Sequence, residues 1–134
     1  MTNPPTWISE GSTVAIEDTN RQIQFDTVAR RTATQIILAS GRRFNTSLRE
    51  LASDNGRGVK TNREGRLVDP TRASVIDTYA RQKLKDFVFQ AETTTYGSGA
   101  TIHRLTAAQI RDELNRLANL LNQTRQEIDR RAGL

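Results

Sequence analysis

Between residues 11 and 44 the chain carries a succession of short alternating apolar stretches, each closed by a turn signal. Alternation with a period of two buries one face of a strand, so this pattern confines the N-terminal third to a small antiparallel sheet. "GSTVAIED" (11–18) places Val14 and Ile16 on one face after a glycine turn. "QIQFDTVARR" (22–31) alternates through Ile23, Phe25 and Thr27, then changes phase to Val28 and Arg30. That change predicts a bulge or strong bend near Thr27, as a small barrel needs. Gln35 to Leu38 reads as a third strand, Ser40-Gly41 as a turn, and Arg42, Arg43 and Phe44 as the start of a fourth. Upstream, a Pro-Pro pair favours extended backbone, and Trp7 is expected to anchor the incoming chain on the sheet.

The period changes in the second half. Residues 51–68 contain no apolar repeat but carry cations at 57, 60, 63 and 66, and read as a basic loop or arm. A helix is predicted over 69–92, with Asp69 as cap, Pro70 in the first helical position and a core stripe of Ile76, Ala80, Leu84, Phe87, Val88 and Ala91. Residues 93–104, rich in Thr and Gly, break it as a hinge, a reversal or a hairpin tip. A final helix opens at Thr106, with Gln109 completing a capping box, and ends near Gly133. Ile110, Leu114, Leu117, Leu121 and Ile128 recur at heptad spacing. The stripe either packs on the preceding helix as an antiparallel hairpin or self-associates with another copy, giving a homo-oligomer. The predicted fold is therefore α+β: a small antiparallel barrel (7–50), a basic arm (51–68) and a two-helix hairpin (69–134).

Chemistry is sparsely provided for. There is no cysteine, and His103 is the single histidine, so thiolate, disulfide and multi-histidine metal sites are excluded. Glu17-Asp18 and Asp112-Glu113 are adjacent pairs whose side chains diverge, which suits neither a metal nuclease nor an acid–base dyad. No glycine-rich loop has the strand before it and the Lys-Ser/Thr after it that a phosphate cradle requires. Neither catalysis, a cofactor nor a metal is expected. No apolar run approaches the ~18 residues of a membrane span, and "MTNPPTW" lacks a leader pattern, so the chain is expected to be soluble and intracellular, with no membrane partner. Hydrophobic residues make up 35% of the chain, which predicts a modular protein whose surface is partly completed by a partner.

Charge is concentrated. The formal +5 arises from −1 over residues 1–39, +6 over 40–85 and 0 over 86–134. Arg42, Arg43, Arg57, Lys60, Arg63 and Arg66, with Phe44 as a stacking platform, make a candidate groove for nucleic acid or an acidic protein face. The same cations also serve as edge charges that keep a sheet from pairing with its neighbours.

Trp7, Gly11, Ser12 and Val14, followed by "TVARRTATQIILASGRRF" (27–44), resemble the small SH3-like β-barrel, in particular short proteins encoded by bacteriophages of high-GC actinobacterial hosts. The resemblance spans roughly residues 7–50. It implies a non-enzymatic barrel in a viral or mobile-element setting, in the host cytoplasm or the virion. The expected role is a binding module that engages a host protein or nucleic acid through the barrel edge and arm. The alternative is a minor virion component, capsid- or connector-associated, whose arm and terminal helix pack against other subunits.

Overall fold

The computed structural model describes residues 5–51, 53–54, 60–61, 65–94 and 97–133, with 53–54, 60–61, 94 and 97–101 described by backbone alone. The chain divides into two compact units, residues 1–79 and 80–134.

The first unit is built on five antiparallel strands: β1 (Thr13–Glu17), β2 (Ile23–Arg31), β3 (Gln35–Leu38) and β4 (Arg43–Asn45), then, after two residue pairs at β5 (Ser53–Asp54) and β6 (Lys60–Thr61), β7 (Arg66–Val68). The order across the sheet is β4-β3-β2-β1-β7, while β5 and β6 pair separately. Long β2 makes the sheet curl. Its first half, from Ile23 to Thr27, pairs with β1, and its second half, from Val28 to Arg31, pairs with β3. The register shifts between Val28 and Arg30, so the irregularity announced by the phase change lies just beyond Thr27. Residues 48–51 then bridge the two edges: the amides of Asn45 and Leu51 make backbone bonds across to Arg49 and Arg43, while Leu67 and Glu50 pair with Leu48 and Gly65. Leu48 adopts φ 69°, a left-handed conformation costly for a leucine, where this segment turns from β4 towards β7.

Curling encloses Ile8, Val14, Ile16, Val28, Ile36, Leu38, Phe44 and Leu67, with Trp7 and Leu48 packed on the rim. Trp7 thus fixes the incoming chain against the core. β1 is buried on both faces, because Ala15 points the opposite way from Val14 and Ile16 and joins Ile23, Val75 and Tyr79 in a second cluster. Tyr79 meets Phe25 edge to face at 4.8 Å. Val75 and Tyr79 belong to the opening turns of α1 (Ala73–Ala91).

Three expectations need correction. Arg66 to Val68 are a strand of the sheet, not part of an arm, because Leu67 is needed in the core. Helix α1 begins at Ala73 rather than Pro70: the Asp69 carboxylate accepts bonds from the Thr71 amide (2.9 Å) and hydroxyl (2.7 Å), closing a separate turn first. The buried α1 side chains are Val75 and Tyr79, whereas Leu84 and Val88 of the predicted core stripe are 58% and 47% exposed.

The second unit continues from the latter part of α1. The short pair β8 (Thr93–Thr94) and β9 (Gly97–Ser98) and a 3₁₀ segment (Gly99–Arg104) lead to α2 (Ala107–Ala132). The α2 boundaries follow the sequence signals: Thr106 and Gln109 form a reciprocal capping box, and Gly133 closes the helix at φ 75°. Lys83 pairs with Glu127 at 3.0 Å, and Arg116 donates to the Thr93 carbonyl at 2.7 Å. These two ties, at opposite ends, make the helices an antiparallel hairpin. Among the described residues no helix is long and apolar enough to cross a membrane.

Candidate functional site

Two cations of the basic groove expected from sequence, Arg42 and Arg66, are engaged in holding the sheet together. Arg42 immediately precedes β4, where its side chain is only 11% exposed. Its guanidinium donates through Nε and Nη2 to the two carboxylate oxygens of Glu50, at 2.8 and 2.6 Å. It also reaches Asp18 at 3.1 Å and Gln24 at 3.0 Å. Hydrogen bonding to Glu50, then to Asp18, raises its pKa beyond the ordinary arginine value against the opposing effect of burial. Gly65 completes the site by donating its amide to Glu50 at 3.2 Å. A fork of donors saturated by two carboxylates has little capacity left for phosphate.

Phe44 is no stacking platform. Consecutive strand residues point to opposite faces, so Phe44 enters the core at 0% exposure while Arg43 faces outward. The Arg42 guanidinium lies 5.9 Å from the Phe44 ring centre, on the inner side of the sheet. Arg66 is exposed and holds Glu17 across β1 and β7 at 3.0 Å. The side chains of Arg57, Lys60 and Arg63 lie outside the described residues. Of the seven residues expected to form the groove, the structure therefore leaves Arg43 presented to solvent, pairs Arg42 and Arg66 with acids, and buries Phe44.

The other candidate set, Ile110, Leu114, Leu117, Leu121 and Ile128, lies along α2 and is divided by the hairpin. Lys83 and Phe87 of α1 and Leu120, Thr124 and Glu127 of α2, all half-buried, mark the seam between the helices. Exposed Asp86, Gln90 and Gln123 border the same seam on one side and complete a polar groove of about 260 Å³. Leu117 and Ile128 are half-buried, but Ile110, Leu114 and Leu121 are 40%, 61% and 52% exposed.

Their position follows from helix geometry. Each residue advances about 100° around a helix. Asp86 stands three residues after Lys83, Gln123 three after Leu120, and both border one groove. In antiparallel neighbours an equal rotation from the seam therefore leads to the same side of the hairpin. Leu84 and Leu121 stand one residue after those same seam residues, about 100° the other way, with Val88 one turn along α1 and Leu114 two turns along α2. Leu84, Val88, Leu114 and Leu121 consequently share one face, opposite the polar groove, with Ile110 at its end. Periodicity marks the α2 residues of this face as an apolar stripe, whereas it assigns Leu84 and Val88 of α1 to the core. An apolar face of two helices with no cover is the strongest binding feature among the described residues.

Catalytic geometry is not assembled among these groups. His103 is exposed in the 3₁₀ segment, and Glu113, buried on α2, pairs with Arg116 at 3.0 Å. Among the described residues no group of three His, Cys, Asp or Glu side chains converges as a metal site would require. No family model matches the chain, and no curated protein or solved structure matches it.

Proposed function

We propose that the protein is a non-catalytic binding module, phage-like in kind, in which an SH3-like barrel forms a self-sufficient unit and the helical hairpin engages another protein. The observation that carries this reading is the exposed face of Leu84, Val88, Leu114 and Leu121. Four large apolar side chains about half open to water, gathered on one side of a hairpin, are stabilised when a partner covers them. The satisfied ion pairs of Arg42 and Arg66 support the same choice by withdrawing cations from the alternative nucleic-acid groove. A minor virion component is the structural form of this reading, since assembly joints use such faces.

The test is affinity capture from host lysate and from purified particles with the wild-type chain and with Leu114→Glu/Leu121→Glu. Both positions are surface leucines, so the variant is expected to keep its helical circular dichroism. At least one protein should be retained by the wild type and lost with the variant. Identical retention by both would overturn the reading.

A further inference from the structure

The chemistry around the open face specifies what covers it, an inference that rests on the hairpin being a docking face. On α2, exposed Ile110, Leu114 and Leu121 with half-buried Leu117 between them keep 4–3–4 spacing, the pattern that seats the knobs of another helix. The outer borders carry Arg81 and Lys85 on α1 and Arg111 and Arg125 on α2, all exposed. Among the described residues none of these four is in an ion pair. Three carboxylates, Asp77, Glu92 and Asp129, stand on the same side, so the four cations outnumber them. A second copy laid face to face would bring cationic borders together, which costs association energy. An acidic flank would instead be attracted from both sides.

We propose that this face takes one amphipathic helix of a partner protein, apolar on its inner side and acidic along both flanks, completing a three-helix bundle. Specificity comes from the rim and cohesion from the leucines.

The test uses the full-length protein and two synthetic helical peptides with leucine at the heptad core positions, one with glutamate at the flanking positions and one with lysine. Fluorescence anisotropy should show the glutamate peptide binding at least about tenfold more tightly at low salt, the gap narrowing as salt rises. Arg111→Glu/Arg125→Glu should narrow or invert that preference while retaining helical circular dichroism. Equal binding of the two peptides, or binding of neither, would overturn the proposal. So would light scattering that reports a dimer abolished by Leu114→Glu/Leu121→Glu, which would assign the face to a second copy. Preferential binding to phosphatidylglycerol vesicles over the glutamate peptide would assign it to an anionic lipid surface and equally overturn it. If the peptides fail while a captured protein is still lost with Leu114→Glu/Leu121→Glu, the docking function stands and only this partner chemistry falls.

Discussion

A single arginine shows how far a charge pattern can mislead. In sequence, Arg42 is the first of a basic run; in the fold it is the hub that ties the turn after β1 to the bridge between β4 and β7. The Glu50 side chain is only 3% exposed, so its charge depends on Arg42 for compensation. Arg42→Met leaves that carboxylate buried without its counter-ion and is expected to cost on the order of 3 kcal/mol, read from the urea midpoint. Adding Glu50→Leu should restore much of the loss, because replacing both members of a buried pair is tolerated better than removing one. A single-variant cost below about 1 kcal/mol would show that the network does not hold the fold. Gly65 probes the same site from the backbone. A Cβ there would come within 2.7 Å of Arg42 Nη2, 2.8 Å of Glu50 Oε1 and 3.0 Å of Ile16 Cγ2. Asp69 supplies a pH handle at this scale. The amide, then the hydroxyl, of Thr71 hydrogen-bond its carboxylate and hold its pKa below the usual aspartate value. The folded pKa is below the unfolded one, so the stabilisation is complete above about pH 4 and lost as pH falls through the folded value. Carboxyl NMR titration should place Asp69 below an ordinary aspartate; a midpoint at or above about 3.9 would mean the turn does not form as described.

Elements were legible where local chemistry alone decides them. The end signals of α2 needed only neighbours in sequence: Thr106 accepts from Gln109 N at 3.2 Å, and Gln109 accepts from Thr106 N at 2.9 Å. Thr106→Ala should lower stability by about 1 kcal/mol and speed amide exchange in the first turn of α2. Unchanged exchange there would show that the box is dispensable. Strands β1 to β3 were equally readable, since alternation names the buried face of Val14, Ile16, Ile36 and Leu38 directly. The failures share a different cause. β7 has three residues and one core side chain, too short for alternation to register, and its place beside β1 depends on a partner about fifty residues away. In α1 two apolar stripes overlap, one through Val75 and Tyr79 and one through Leu84 and Val88. Periodicity identifies an apolar face but not what covers it. The first stripe meets the sheet, and the second is left open.

At the scale of the whole chain, the same distinction separates charge that is present from charge that is available. The formal +5 and its concentration in residues 40–85 invite a polyanion, and the predicted set holds six cations: Arg42, Arg43, Arg57, Lys60, Arg63 and Arg66. Two of these are already matched by acids within the sheet, Arg42 by Glu50 and Asp18 and Arg66 by Glu17. Releasing Arg42 to a phosphate would strand Glu50, so it can join a nucleic-acid contact only by weakening the fold. Binding of a short duplex through this set is therefore limited to four phosphate neutralisations. Each displaced counter-ion contributes about −0.9 to the dependence of log affinity on log salt. The expected slope is thus no steeper than about −3.6, leaving an association that fades between roughly 50 and 200 mM salt. Arg42→Met should leave the slope unchanged wherever the variant remains folded, while Arg43→Gln/Lys60→Gln/Arg63→Gln should flatten it. A wild-type slope of about −4.5 or steeper, reduced by Arg42→Met, would show that phosphate competes successfully with Glu50. In that case the basic segment, and not the open face of the hairpin, would be the principal binding surface.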